Sequence, residues 1–246
     1  MTTVTFAGCG DAFGSGGRFQ ACIHLRPGTN QAPVLLDCGA TSLTALRQAG
    51  LDPGEIGAVF VSHLHGDHFG GLPFLILDGQ FSRRAAPLLI AGPPGTSQRL
   101  TEAMECLFPG SAQASRRFEV RVVELSPGRA RRVAGLSVHA FQAGHPSGAP
   151  ALILRLTVGG TVVAYTGDTA WTPAIAEASE HADLLIAEAY YWDKPVPHHL
   201  RYADLAERDH EITARRVVLT HMSADMLARQ HLATHDTARD GLVITM

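Results

Sequence analysis

The chain of 246 residues is 46% apolar and 17% charged, with a formal net charge of −3. That length and apolar share are enough to bury one sizeable core, so a single domain spanning 1–246 is expected. The small negative charge gives no long-range attraction to nucleic acid, which is therefore not an expected partner. No apolar run reaches membrane-spanning length, and Met1-Thr2-Thr3-Val4 lacks the basic start of a secretory signal, so no membrane partner is expected and the location is expected to be cytoplasmic. Cys9, Cys22, Cys38 and Cys106 form no CxxC pair and read as reduced, mostly buried residues.

Taken in order, residues 3–7 alternate as a strand and 8–17 form a glycine-rich loop. Strands follow at 21–25 and 34–37, then a helix at 41–49 that stops at Gly50. The apolar run 58–61 reads as a buried strand, 72–77 as a helix and 88–91 as a strand ended by Gly92-Pro93-Pro94-Gly95. The stretch 96–107 places Leu100, Met104 and Leu107 at helical spacing. In the second half, strands are predicted at 119–124, 136–141, 151–157, 161–165, 183–187 and 215–219, and helices at 173–179, 200–209 and 224–231. Many short strands with helices at intervals in both halves fit two sheets packed face to face with helices outside, an αββα four-layer sandwich.

The chemistry concentrates after the strand at 58–61, where His63-Leu64-His65-Gly66-Asp67-His68 puts four ligand-type residues in six positions. A helix would put His63 and Asp67 on one face and scatter the others, whereas a loop folding back from a strand end lets them converge. His63 and His65 can hold one cation, and Asp67 and His68 can reach a second. Imidazole and carboxylate together suit zinc, and also manganese or iron. Two ions need further ligands and a bridging water. His145, Asp168 and His221 each follow a β-rich stretch and lie in or beside a turn.

In order and context these residues resemble the metallo-β-lactamase superfamily, and the wording HLHGDHFGGLP resembles its branch of ribonuclease Z and small phosphodiesterases. The resemblance implies the αββα fold, two divalent ions, and His63, His65 and His145 on the first ion. It implies Asp67, His68 and His221 on the second, with Asp168 bridging. Asp67 also counts as catalytic, its loss being expected to remove activity with the fold largely intact. A dimer is common in this branch.

The same branch carries a Glu after a strand and a His before a helix, both near the site. Glu188 and His199 occupy the matching positions, implying His199 as general acid or phosphate ligand and Glu188 as its orienter. His198 is the adjacent alternative. In the loop 8–17, glycines let amides face an anion, and Arg18 could add a charge-assisted hydrogen bond; Arg18 and Gly16 are thus candidate substrate contacts. A tight turn between strands is the competing reading of that loop.

Two departures narrow the substrate. The stretch between His145 and Asp168 is short enough to be used up by a hairpin, so the protruding arm of tRNA-processing relatives has no room there. The cysteine-rich zinc loop of some cyclic phosphodiesterases is also missing. A small or cyclic phosphodiester is the first expectation and a lactone or other carboxylic ester the second. A nuclease lacking the arm and a non-catalytic ligand-binding relative are further alternatives; the complete ligand set speaks against the last.

Overall fold

The computed structural model describes residues 1–28 and 30–246. The first half runs β1 (Thr3–Gly8), β2 (Cys22–Arg26), β3 (Val34–Leu36), α1 (Ser42–Gln48), β4 (Ala58–Phe60), α2 (Gly66–Phe69), α3 (Leu72–Phe81), β5 (Leu88–Gly92), α4 (Thr96–Leu107) and β6 (Val120–Glu124). The second half runs β7 (Arg129–Val133), β8 (Leu136–Pro146), β9 (Pro150–Val158), β10 (Thr161–Tyr165), α5 (Pro173–Ser179), β11 (Leu184–Glu188), α6 (Tyr202–Glu207), β12 (Val217–Thr220), α7 (Ala224–Arg229), β13 (Asp236–Thr237) and β14 (Leu242–Thr245).

The strands form two seven-stranded sheets, ordered β14-β1-β2-β3-β4-β5-β6 and β13-β12-β11-β10-β9-β8-β7. In the first, β14 to β3 pair antiparallel and β3 to β6 parallel. The second repeats the scheme: β7 to β10 antiparallel, β10 to β13 parallel. The central strands are apolar on both faces because both faces are covered. In β4, Ala58 and Phe60 point between the sheets, while Val59 joins the helices outside. In β11, Leu184 and Ile186 face the first sheet, and Leu185 and Ala187 face the outer helices of the second half. The αββα sandwich follows from this alternation.

One expectation shifts, and two strands join that the sequence did not predict. The HxHxDH motif is not all loop: residues 66–69 make one helical turn with His65 as its N-cap, the His65 carbonyl accepting from the amides of His68 and Phe69. The strand β7, Arg-Ala-Arg-Arg-Val, reads as a solvated charged stretch, and it is one apart from Val133; pairing with β8 holds it as an edge strand. At the C-terminus, β14 completes the first sheet by pairing Thr3–Phe6 with Leu242–Thr245. Among the described residues no helix is long and apolar enough to cross a membrane.

Candidate metal centre

The parallel strands all deliver their carboxyl ends to one rim, the place where open α/β sheets carry ligand sites. There β3 ends at Asp37 and β4 runs into Ser62 and His63. In the other sheet β8 delivers His145, β10 leads to Asp168, β11 ends on Glu188 and β12 leads to His221. Residues far apart in the chain thus converge because the two sheets share this rim.

Three overlapping groups of donor atoms meet there: His63, His65 and His145; Asp67, His68, Asp168 and His221; and His145, Asp168 and His199, which shares members with the first two. In the second group, His68 Nε2 lies 3.2 Å from His221 Nε2, 3.2 Å from Asp67 Oδ2 and 3.1 Å from Asp168 Oδ1. His221 Nε2 lies 3.2 Å from Asp67 Oδ2 and 3.4 Å from Asp168 Oδ1. Ligands about 2.0–2.1 Å from a tetrahedral ion stand about 3.3 Å apart, so these separations are edges of such a shell. In the first group, His65 Nδ1 and His145 Nε2 are 3.1 Å apart. His63 Nε2 is buried there without a hydrogen-bond partner, 3.9 Å from Asp168 Oδ2. The two oxygens of Asp168 thus face the first two groups.

The electrostatics ask for cations. Asp37, Asp67, Asp168 and Glu188 are all buried, and their ion pairs among the described residues are with histidines. Four buried carboxylates without a Lys or Arg would be costly unless positive charge enters among them. Although burial alone would lower it, the charges of Asp168, Asp67 and Asp37 push the His68 imidazole well above its ordinary range. Burial likewise opposes ionisation of Asp67, yet His68 and His221 hold it well below the usual carboxylate range. Burial and the surrounding imidazoles keep His63 well below its ordinary range, leaving a neutral donor. The donor set therefore fits one or two divalent ions.

Outer contacts hold the candidate donors in place. His145 Nδ1–H donates to the His198 carbonyl at 3.0 Å. His68 Nδ1 meets Asp37 Oδ2 at 2.7 Å, which leaves Nε2 for an ion. Asp37, absent from the sequence-derived set, accepts from the Ser62 amide (2.6 Å), the Ser62 hydroxyl (2.7 Å) and the Tyr165 hydroxyl (2.8 Å). Its only sequence signal is a lone acid closing an apolar run. Backbone strain gathers here too: Asp37, His198 and His221 have φ of 59°, 66° and 57°, a region non-glycine residues rarely adopt.

In the third group, His199 Nδ1 meets Glu188 Oε1 at 2.5 Å. Glu188 Oε2 accepts from the amides of Thr169 (2.8 Å) and Leu200 (3.3 Å), locking the carboxylate. Burial, helped by the Asp168 charge, raises the Glu188 carboxyl; burial would lower His199, but its hydrogen bond and charge contact with Glu188 raise it. His199 lines a cavity of about 130 Å³ together with His65, Asp67, His145, Asp168 and His221.

Three sequence-derived substrate contacts stand elsewhere. Arg18 directs its guanidinium to Gln230 Oε1 (3.3 Å) and Cys9 Sγ (3.7 Å) and does not line the cavity. Gly16 packs on α7, where a Cβ would come within 2.8 Å of Leu227. His198 is exposed and reaches the centre through its carbonyl, not its ring. The glycine-rich loop does border the cavity, but through Ala12 and Phe13.

Two helix-flanked sheets with a His/Asp cluster on the rim of their carboxyl ends define a hydrolase of the metallo-β-lactamase fold. Within it, residues 2–243 match the family described as Anti-Pycsar protein Apyc1, and the chain belongs to that family. It is 28% identical over 276 aligned positions to a ribonuclease Z of Methanosarcina acetivorans, covering 91% of this chain and 88% of that one. The short form of human tRNase Z superposes with a TM-score of 0.79 at 27% identity, over 99% and 98% of the two chains. The metallo-β-lactamase fold protein YhfI of Bacillus subtilis also gives 0.79, at 20% identity over 99% and 98%, a likeness of fold.

Proposed function

We propose that this protein is a metal-dependent phosphodiesterase acting on small or cyclic phosphodiesters. The observation that carries the reading is His199, held from behind by the buried Glu188, on the wall of a cavity whose other donors stand at ligand spacing. His63, His65 and His145 would hold one ion, Asp67, His68 and His221 the other, and Asp168 both; zinc is the first choice, with manganese or iron served by the same donors. When bound, such ions polarise phosphoryl oxygens and make water a competent nucleophile at neutral pH.

The chain's own part is proton delivery and placement. Glu188 holds His199 through Nδ1 and favours its protonated form, so Nε2–H is available to the oxygen of the departing alcohol. His145, tied to the His198 carbonyl, sets the position of the same loop. Asp67, His145, Asp168 and His221 in the cavity wall are buried, which strengthens the charge interactions among them.

A nuclease reading has its own support in the likeness to ribonucleases Z. Against it, residues 146–167 are consumed by the end of β8, a turn, β9, the Gly159-Gly160 turn and β10, so no arm protrudes there. The cavity wall also carries no Lys or Arg to follow a polynucleotide backbone.

A panel of chromogenic phosphodiesters, lactones and thioesters, run with zinc, manganese and iron in turn, tests the proposal. Phosphodiester turnover at least tenfold above the other classes is expected; preferred lactone or thioester turnover would overturn it.

A further inference from the structure

The centre accounts for the reacting phosphate but not for what holds the rest of the substrate. At about 130 Å³ the cavity is well below the roughly 300–1,000 Å³ of sites that enclose a whole organic ligand. The remainder of a phosphodiester must therefore lie outside, over the rim. With no Lys or Arg in the wall, charge cannot hold that part. Two aromatic rings border the opening. Tyr190 is half-buried, its ring 4.8 Å from that of His199. Phe13 is 84% exposed although it forms part of the cavity wall.

Phe13 does not sit on a loose loop. The buried Asp11 accepts from the amides of Phe13 (3.2 Å) and Ser15 (2.8 Å) and from the Ser15 hydroxyl (2.7 Å). Gln20 Nε2 donates to the Ala12 carbonyl at 3.1 Å, and the Gly14 amide donates to the Asp11 carbonyl at 3.2 Å. Gly16, at φ 70°, seats the loop on Leu227 of α7. In residues 10–17 the side chains other than Asp11 and Phe13 are those of Gly, Ala and Ser, so this wall offers one ring for contact. A firmly held, solvent-facing ring beside reacting groups is arranged for a ligand surface that stacks on it.

We propose that Phe13 is a specificity-determining platform for a flat ring carried by the phosphodiester, a nucleobase or an aryl group. The proposal rests on the phosphodiesterase reading and adds the class of substituent the site selects.

The test uses three substrates with the metal-loaded enzyme: adenosine 2′,3′-cyclic phosphate, bis(p-nitrophenyl) phosphate and glycerol 1,2-cyclic phosphate, which has no ring. Base stacking on an aromatic side chain predicts that Phe13→Ala raises KM about 5- to 100-fold on a ring-bearing substrate, with kcat within about twofold. KM on the glycerol ester should stay unchanged, Phe13→Leu should resemble Phe13→Ala, and Phe13→Trp should restore binding. An effect confined to the adenosine ester assigns the platform to a nucleobase, and one confined to the nitrophenyl ester assigns it to an aryl group. Equal changes on all three, or none on any, overturn the proposal, as does a change of oligomeric state on light scattering that parallels them. If the wild type cleaves none of the three, the phosphodiesterase reading fails by itself. Calorimetric titration with adenosine monophosphate and with p-nitrophenyl phosphate then still reads the platform: weaker binding of either by Phe13→Ala upholds it, and equal binding of both overturns it.

Discussion

The two halves of the molecule share a strand scheme yet supply the centre differently. The strands β3 and β10 stand at the same place in their sheets, each the switch from antiparallel to parallel pairing, and each leads to an aspartate. Asp168 presents its oxygens to the first two donor groups, with Gly167 taking the left-handed conformation at φ 55°. Asp37 takes that conformation itself at φ 59° and stays one layer back, gathering Ser62, Tyr165 and His68. The first half packs four donors into residues 63–68, whereas the second supplies His145, Asp168 and His221 singly from separate strand ends. Ligands encoded by one short segment depend on local geometry; ligands delivered one by one depend on the register of a whole sheet.

The largest expected effect separates the two aspartates in contact with the donor groups. Asp168→Ala should abolish activity and lower metal content from about two ions per chain towards none, since Asp168 would serve both ions. Asp67→Ala should also abolish activity but keep about one ion, with circular dichroism unchanged. Elemental analysis after reloading a stripped sample checks both, and an equal metal loss in the two variants would erase the proposed division of labour.

Next comes the proposed acid. His199→Ala should slow hydrolysis of esters with poor alcohol leaving groups by about 10²–10⁴-fold, the span of general acid catalysis. Esters of acidic phenols should lose far less, and metal content should hold. Equal losses on both kinds of ester would move His199 from proton donor to binding or structural support.

A smaller effect is expected one layer back. Asp37→Asn keeps the shape but removes the charge facing His68, and loss of such an outer partner costs about 10- to 100-fold in metal affinity or activity. Chelator competition reads this, and Asp37 would be purely structural if affinity stayed the same while thermal stability fell.

The smallest effect lies in β2, away from the centre. Burial lowers the His24 imidazole from 6.5 to about 4. The folded state thus binds fewer protons than the unfolded one between these values, so stability falls as pH drops below about 6.5, and nothing is lost above it. One pH unit in that window is worth at most about 1.4 kcal/mol. Denaturant midpoints of the wild type and His24→Leu at pH 7 and 5.5 should diverge by that order; parallel shifts would trace the acid sensitivity to the metal centre.

The sequence is most legible where chemistry is local. The run 63–68 announces itself because no core or solvated face needs four such residues together, and the strand ends carrying His145, Asp168 and His221 follow from apolar runs stopped by turns. Asp37, Ser62 and Tyr165 escape notice because each is ordinary in its own segment; only the packing of one sheet on the other makes them neighbours. The glycine-rich loop shows the opposite error. Its position at the centre can be read, but Arg18 is favoured by its charge while Asp11, read as mere loop, turns inward and leaves Phe13 facing out. In β7, arginines hide a strand because an edge strand with both faces wet has no apolar alternation to show.

The bond from His145 to the His198 carbonyl has a bearing on how this chain can vary. What position 198 contributes is a backbone oxygen presented at φ 66°, so its side chain is nearly free while its conformation is not. Glycine or asparagine should be interchangeable with histidine there, and valine or isoleucine should not, since branching at Cβ resists that geometry. Because the next residue is His199, any change in length between Tyr191 and Val196 must be absorbed before the chain reaches 198. Drift in the loop is thus confined to its outer part, and neighbouring species of this protein should differ there first.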